Sequence, residues 1–136
     1  MTPNPADRDA LFKAFGRAFF KEDLGALYDG VVTDDFTWTI LVGETVRVMD
    51  SRDKIADFMD ERRRTLDNLR FEDVVYHHAP DASFMTFRMT ATDKASGEAI
   101  ERFGVERYFF RDGRLAVKDV YTRPGDGRLN RPVGSG

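Results

Sequence analysis

The stretch EAIERFGVERYFFRDGRLAVKDVYTRP, residues 98–124, decides the fold. It reads as two strands rich in Phe, Tyr and Val, joined at Arg111-Asp112-Gly113-Arg114. Asp-Gly between two apolar runs is the strongest short hairpin signal a sequence offers. Neither strand alternates cleanly. Phe103, Val105 and Phe109 share a face with Glu101 and Arg107, while Gly104, Tyr108 and Phe110 share the other with Arg102 and Glu106. A sheet with one solvated face would leave one of these rows polar. Both faces are therefore expected to be covered, and at least one covered face holds charge.

Working back from the hairpin, two more strands are expected at close spacing, over 69–78 and 82–92, turned at Ala79-Pro80-Asp81 and between Asp93 and Gly97. Before them, Asp50 or Ser51 caps a helix that turns Ile55, Phe58, Met59 and Leu66 inward and Arg62-Arg63-Arg64 outward, a solvated end suited to the helix dipole. Residues 31–42 alternate, with Phe36, Trp38 and Ile40 against Thr37 and Thr39, as a half-buried strand does, and Val46 and Val48 suggest a short strand after it. Leu11, Phe15 and Phe19 recur at helical spacing from Ala6 to about Phe20, and Glu22 to Tyr28 gives a shorter helical turn. The order is α+β: two helices, a strand, a third helix, then four long antiparallel strands. A curved sheet wrapped over three helices leaves a cone with an open mouth, where apolar pockets form. Residues 1–124 are expected as one domain and 125–136 as a loose tail.

Composition narrows the function. A chain of 136 residues can bury its own core. Zero cysteines exclude disulfides and thiolate chemistry and suit a reducing cytoplasm. With 21 basic and 24 acidic residues interspersed, net charge -3, there is no footprint for nucleic acid. No apolar run is long enough to cross a membrane, and MTPNPADRD does not read as a signal peptide. Twelve Phe against one Trp and four Tyr will fill a core or line a pocket.

Several motifs carry a resemblance: Phe12-Lys13-Ala14-Phe15, Leu24-Gly25-Ala26-Leu27-Tyr28, Thr33-Asp34-Asp35-Phe36-Thr37-Trp38, residues 92–97, and Arg107-Tyr108-Phe109-Phe110-Arg111-Asp112-Gly113-Arg114-Leu115. Over roughly residues 8–123 the chain resembles the nuclear-transport-factor-2-like superfamily and its SnoaL-like members, which include polyketide cyclases, ketosteroid isomerases and limonene epoxide hydrolases. These motifs specify the fold better than the reaction. The resemblance implies acid/base chemistry without a cofactor on a small hydrophobic, cyclic or polyketide-like molecule. The competing class is a non-catalytic ligand-binding or dimerisation module on the same scaffold.

The resemblance also nominates residues. Pocket acids of relatives lie seven residues before the turn glycine, here Glu106, and seven after it, here Val120 with the carboxylate one step earlier at Asp119. One step along a strand swaps faces. A three-residue loop would set Glu106 opposite Lys118, whereas a two-residue loop would set Glu106 opposite Asp119 and Arg107 opposite Lys118. The second confronts like charges twice, so the first is favoured, with Glu106 in the pocket and Asp119 on the convex side. Glu106 is then either an acid/base group or one half of a cross-strand pair with Lys118.

Arg102 shares the Glu106 face about 13 Å along the strand and could meet an anionic substrate at the mouth. Of His77-His78 at most one looks inward, and His78 is the candidate assistant with Asp119. Two adjacent histidines without clustered carboxylates give no metal spacing. Core residues that double as pocket lining are Trp38, Ile40, Phe15, Phe19, Tyr28, Phe58, Met59, Phe87, Met89, Tyr108 and Val120. Ketosteroid isomerases carry their base where Ile40 stands and a tyrosine where Phe15 stands. Epoxide hydrolases carry an arginine and an aspartate where Phe87 and Met89 stand, so steroid isomerase and epoxide hydrolase are poor readings. No phosphate loop, nucleophile elbow or Cys/His site occurs. Phe103, Val105 and Phe109 on the convex face predict a homodimer through the sheet.

Overall fold

The structure, a computed structural model, describes residues 2–42 and 44–125. Beyond Gly125, the expected tail lies outside the described residues. Helix α1 (Pro5–Lys21) starts under Asn4, whose side chain accepts from the Asp7 amide, and carries Pro5 where a missing N–H costs nothing. Its buried stripe is Arg8, Phe12, Phe15, Ala18 and Phe19. The stripe is therefore centred on Phe12, and Leu11 packs only at its margin. Asp23 caps the short α2 (Leu24–Tyr28), and Ser51 caps α3 (Arg52–Thr65), which buries Ile55 and Met59.

The strands are β1 (Val32–Val42), β2 (Thr45–Met49), β3 (Leu66–His78), β4 (Ser83–Asp93), β5 (Ala99–Arg111) and β6 (Arg114–Pro124). They form one mixed sheet in the order β2-β1-β6-β5-β4-β3, with β1 parallel to β6 and the other pairs antiparallel. This is the expected α+β cone fold, with one departure. The short strand after β1 is real, but β3 follows α3 without a loop, so Leu66 opens a strand instead of closing the helix. Edge strand β3 is broken by irregularities between Asp67 and Arg70 and between Glu72 and Val75, with Asn68 and Asp73 in left-handed conformations.

The last hairpin corrects the expected register. Arg111 pairs with Arg114, so the loop is two residues, Asp112 (φ 53°) and Gly113 (φ 73°). Positive φ at both is the signature of a type I′ turn, whose twist matches that of its strands. The ladder then slips: Phe110 faces Leu115 but Phe109 faces Val117, leaving Ala116 as a bulge. Beyond it Tyr108 faces Lys118, Arg107 faces Asp119 and Glu106 faces Val120. Neither loop read from the sequence gives this pairing. The like-charge confrontation of the short loop is removed by an extra strand residue, not by a longer turn.

The core lies between α1, α2, α3 and the concave sheet face, around Phe36, Leu27, Met49, Ile55, Met59 and Leu115. Gly104 brings β5 under the ring of Phe87, where an added Cβ would come within 2.2 Å of a ring carbon. At one end Arg8, only 4% exposed, donates through Nη1 to the carbonyls of Ala79 (2.6 Å) and Ala82 (3.1 Å) and to Ser83 Oγ (3.1 Å). Its Nη2 donates to Pro80 O (2.9 Å) and its Nε to Pro3 O (2.7 Å). One side chain thus fastens the helix to the β3–β4 turn. Arg8→Met should orphan these buried carbonyls and cost roughly 2 kcal/mol or more, read as a lower urea midpoint at unchanged slope.

Candidate functional site

Sheet and helices enclose a cavity of about 450 Å³. At its more exposed end stand Glu61, Arg62, Thr65, Leu66, Ile100 and Arg102. At its buried end three polar side chains from the hairpin converge among rings of α1 and β1. Glu106 is 3% exposed, Tyr108 2% and Lys118 6%. Lys118 Nζ lies 3.1 Å from Glu106 Oε1 and sits over the rings of Phe15 (4.3 Å) and Trp38 (4.6 Å). The Tyr108 hydroxyl donates to the same Oε1. No described residue gives Glu106 Oε2 a hydrogen bond or ion pair, so this oxygen is left for whatever enters.

Electrostatics sorts the three groups. Burial, then the charge of Glu106, pushes the Tyr108 phenol far above its ordinary 10.0. The same causes carry Tyr76 up to about 12. Both phenols are thereby held as donors at working pH. Burial pushes the Lys118 ammonium down from 10.5, with Glu106 opposing. Such a site offers a proton acceptor, a fixed positive charge and a phenolic donor in an apolar shell, where each acts more strongly than in water.

Among the residues named from the sequence, Phe15, Phe19, Trp38, Ile40, Phe58 and Phe87 line this cavity. So do Met89, Arg102, Glu106, Tyr108 and Val120. Four others lie elsewhere. Asp119 points to the convex face, because the bulge puts it opposite Arg107 (Nη2 to Oδ2, 2.9 Å), and it accepts from Thr39 Oγ1 (2.6 Å). His78, at the end of β3, places its ring nitrogens 2.8 Å from Ser83 Oγ and 3.0 Å from Asp9 Oδ1. Met59 is packed into the core under α3, and Tyr28 lies beneath the guanidinium of Arg52.

Lining residues missed from the sequence include Phe12, Phe71, Tyr76, Met85 and Arg62. Arg62 continues the inward stripe of Ile55 and Met59 at helical spacing, a signal hidden by the two arginines after it. Its guanidinium lies 4.4 Å from the Phe19 ring centre, whereas Arg63 and Arg64 pair with Asp60.

The family described as SnoaL-like domain matches residues 12–118. No curated protein sequence matches the chain. Among solved structures it is similar to a candidate polyketide cyclase from Xanthomonas campestris pv. campestris, at 16% identity and TM-score 0.70 over 88% of this chain and 92% of that one. A nuclear-transport-factor-2-like protein from Burkholderia xenovorans LB400 gives TM-score 0.74 at 12% identity over 88% and 91%. A protein of ketosteroid isomerase-like fold from Catenulispora acidiphila DSM 44928, in complex with trimethylamine, gives 0.66 at 14% over 89% and 86%. At these identities the likeness is one of fold.

Lys118→Met should leave Glu106 buried without its cation and cost about 3–5 kcal/mol, most of it returned by Glu106→Gln in the same chain. Between the lowered folded value and 10.5 the unfolded chain holds the lysine proton more firmly, so Lys118 contributes stability that rises with pH through that window, opposed above 10.0 by the raised Tyr108 and Tyr76. In Lys118→Met this rise should be absent. Urea denaturation at stepped alkaline pH reads both effects.

Proposed function

The chain belongs to the SnoaL-like domain family, and on that premise we propose that it binds a small hydrophobic, cyclic or polyketide-like molecule and acts on it by acid/base chemistry without a cofactor. The reaction class is isomerisation, cyclisation or dehydration. One observation carries the reading: an enclosed carboxylate keeps one oxygen open to the cavity while a lysine and a tyrosine hold the other. Glu106 Oε2 takes a proton from the carbon next to a substrate carbonyl and returns it at another carbon, or to an oxygen as a ring closes. Lys118 balances the charge, and Tyr108 keeps the carboxylate oriented. Similar structures named as candidate polyketide cyclases support this class of substrate, and one named as a candidate isomerase supports the reaction class. The zero cysteine count suits action in the cytoplasm.

The Glu106–Lys118 contact also favours a second reading, a binding module in which the pair is purely structural. Proton abstraction separates the two without knowledge of the natural substrate. With 1-tetralone in D₂O, the wild type should speed exchange of the α-protons, followed by NMR, and Glu106→Gln should slow it about 10²-fold or more. Exchange no faster than in buffer would leave the binding module.

Dimerisation belongs to the same proposal. On the convex face Val105 is 41% exposed and Tyr121 45%, beside half-buried Phe103 and Phe109. Such a patch is covered in most soluble proteins, and a second copy related by a two-fold axis fits it. Sedimentation at micromolar concentration should show a dimer, and Val105→Glu with Tyr121→Glu should return it to monomer. A wild-type monomer overturns this part.

A further inference from the structure

We propose that the ligand of this cavity is an organic carboxylate, its anionic end held by Arg102 at the exposed end and its ring lying toward Trp38. The inference deepens the functional reading above and rests on its assignment of the cavity as the ligand site. Five charged residues line the cavity: Glu61, Arg62, Arg102, Glu106 and Lys118. Both acids are matched, Glu61 by Arg47 at 2.7 Å and Glu106 by Lys118 at 3.1 Å. Among the described residues, neither Arg62 nor Arg102 is in an ion pair. The cavity wall therefore carries three positive charges against two negative, and two of the three are in no ion pair.

Unanswered donors tell the same story atom by atom. Arg102 Nη1, Arg62 Nε and Trp38 Nε1 are withdrawn from solvent without a hydrogen-bond partner, and all three belong to residues of the cavity wall. Arg102 Nε and Nη2 are not so withdrawn and make no hydrogen bond among the described residues, so they are the donors that a ligand entering the cavity can reach. Arg62 is partly compensated: it stacks on Phe19 and feels the charge of Glu22. Among the described residues Arg102 has no ring and no acid against it, which makes it the anchor. It stands four residues from Glu106 on the same strand face, about 13 Å away. A ring joined to a carboxylate by a chain of a few carbons spans that distance. The ring of Trp38, beside Lys118, gives the ligand's own ring an apolar wall.

Trp38 is the single tryptophan of the chain, so its fluorescence reports on the cavity alone. The probes are cyclohexanebutanoate and the uncharged cyclohexanebutanamide, neither of which absorbs at the excitation wavelength. The acid should bind the wild type about tenfold or more tightly than the amide, as a charge-assisted hydrogen bond predicts. Added salt should narrow that gap. Arg102→Gln should abolish the preference and leave amide binding intact, Arg102→Lys should retain part of it, and Arg62→Gln should have the smaller effect. Equal binding of acid and amide, a preference that survives Arg102→Gln, or binding of neither probe would each overturn the proposal. Loss of the preference with tetralone exchange intact removes the anion site alone. Intact preference without exchange removes the catalytic reading alone.

Discussion

Ala116 is one residue more than the facing strand can match, and the charges of the molecule are sorted by that excess. Without it the type I′ turn would set Glu106 against Asp119 inside the sheet's concave face and Arg107 against Lys118 outside. With it, every residue from Val117 onward changes sides. Lysine meets glutamate within the cavity, and arginine meets aspartate on the back. Like charges directly opposite are destabilising in any sheet. A carboxylate removed from water without a counter-charge costs several kcal/mol more. The bulge resolves both problems at once, at the cost of one unpaired position in the ladder.

The neighbouring strand confirms how far that sorting reaches. Because β1 runs parallel to β6, Trp38 stands beside Lys118 and Thr39 beside Asp119. The indole becomes a wall for the ammonium, and the threonine hydroxyl a third partner for the convex ion pair. Two layers of polar contact, one per face, therefore share the same three strands. The concave layer is enclosed by phenylalanines of α1, which exclude water from it. Enclosure gives the Glu106 group its chemical interest, since a surface glutamate–lysine pair would be screened and of little consequence.

Much of this was legible beforehand, and the gaps have physical causes. Strong local signals, namely helical stripes, caps, alternation in β1 and the Asp-Gly turn, placed every element to within a few residues. Glu106 on the concave face and Asp119 on the convex one follow from charge repulsion, though through a loop that does not form. A bulge has no composition of its own when the extra residue is alanine, so the register was hidden. Arg62 was masked by Arg63 and Arg64, because a run of like residues conceals which one continues the buried stripe. Arg8 was hidden for another reason. Its partners are backbone carbonyls of a turn 71–74 residues away, and carbonyls leave no mark in a sequence.

The irregular β3 has a meaning of its own. It is an edge strand with Val74, Val75 and Tyr76 exposed beside one another, the kind of segment that recruits a foreign strand. Two interruptions, at Asn68 and Asp73, break the row of outward amides and carbonyls into pieces shorter than a strand needs for annealing. Growth of the sheet in its own plane is discouraged there. The edge thereby guards the protein against fibrillar stacking.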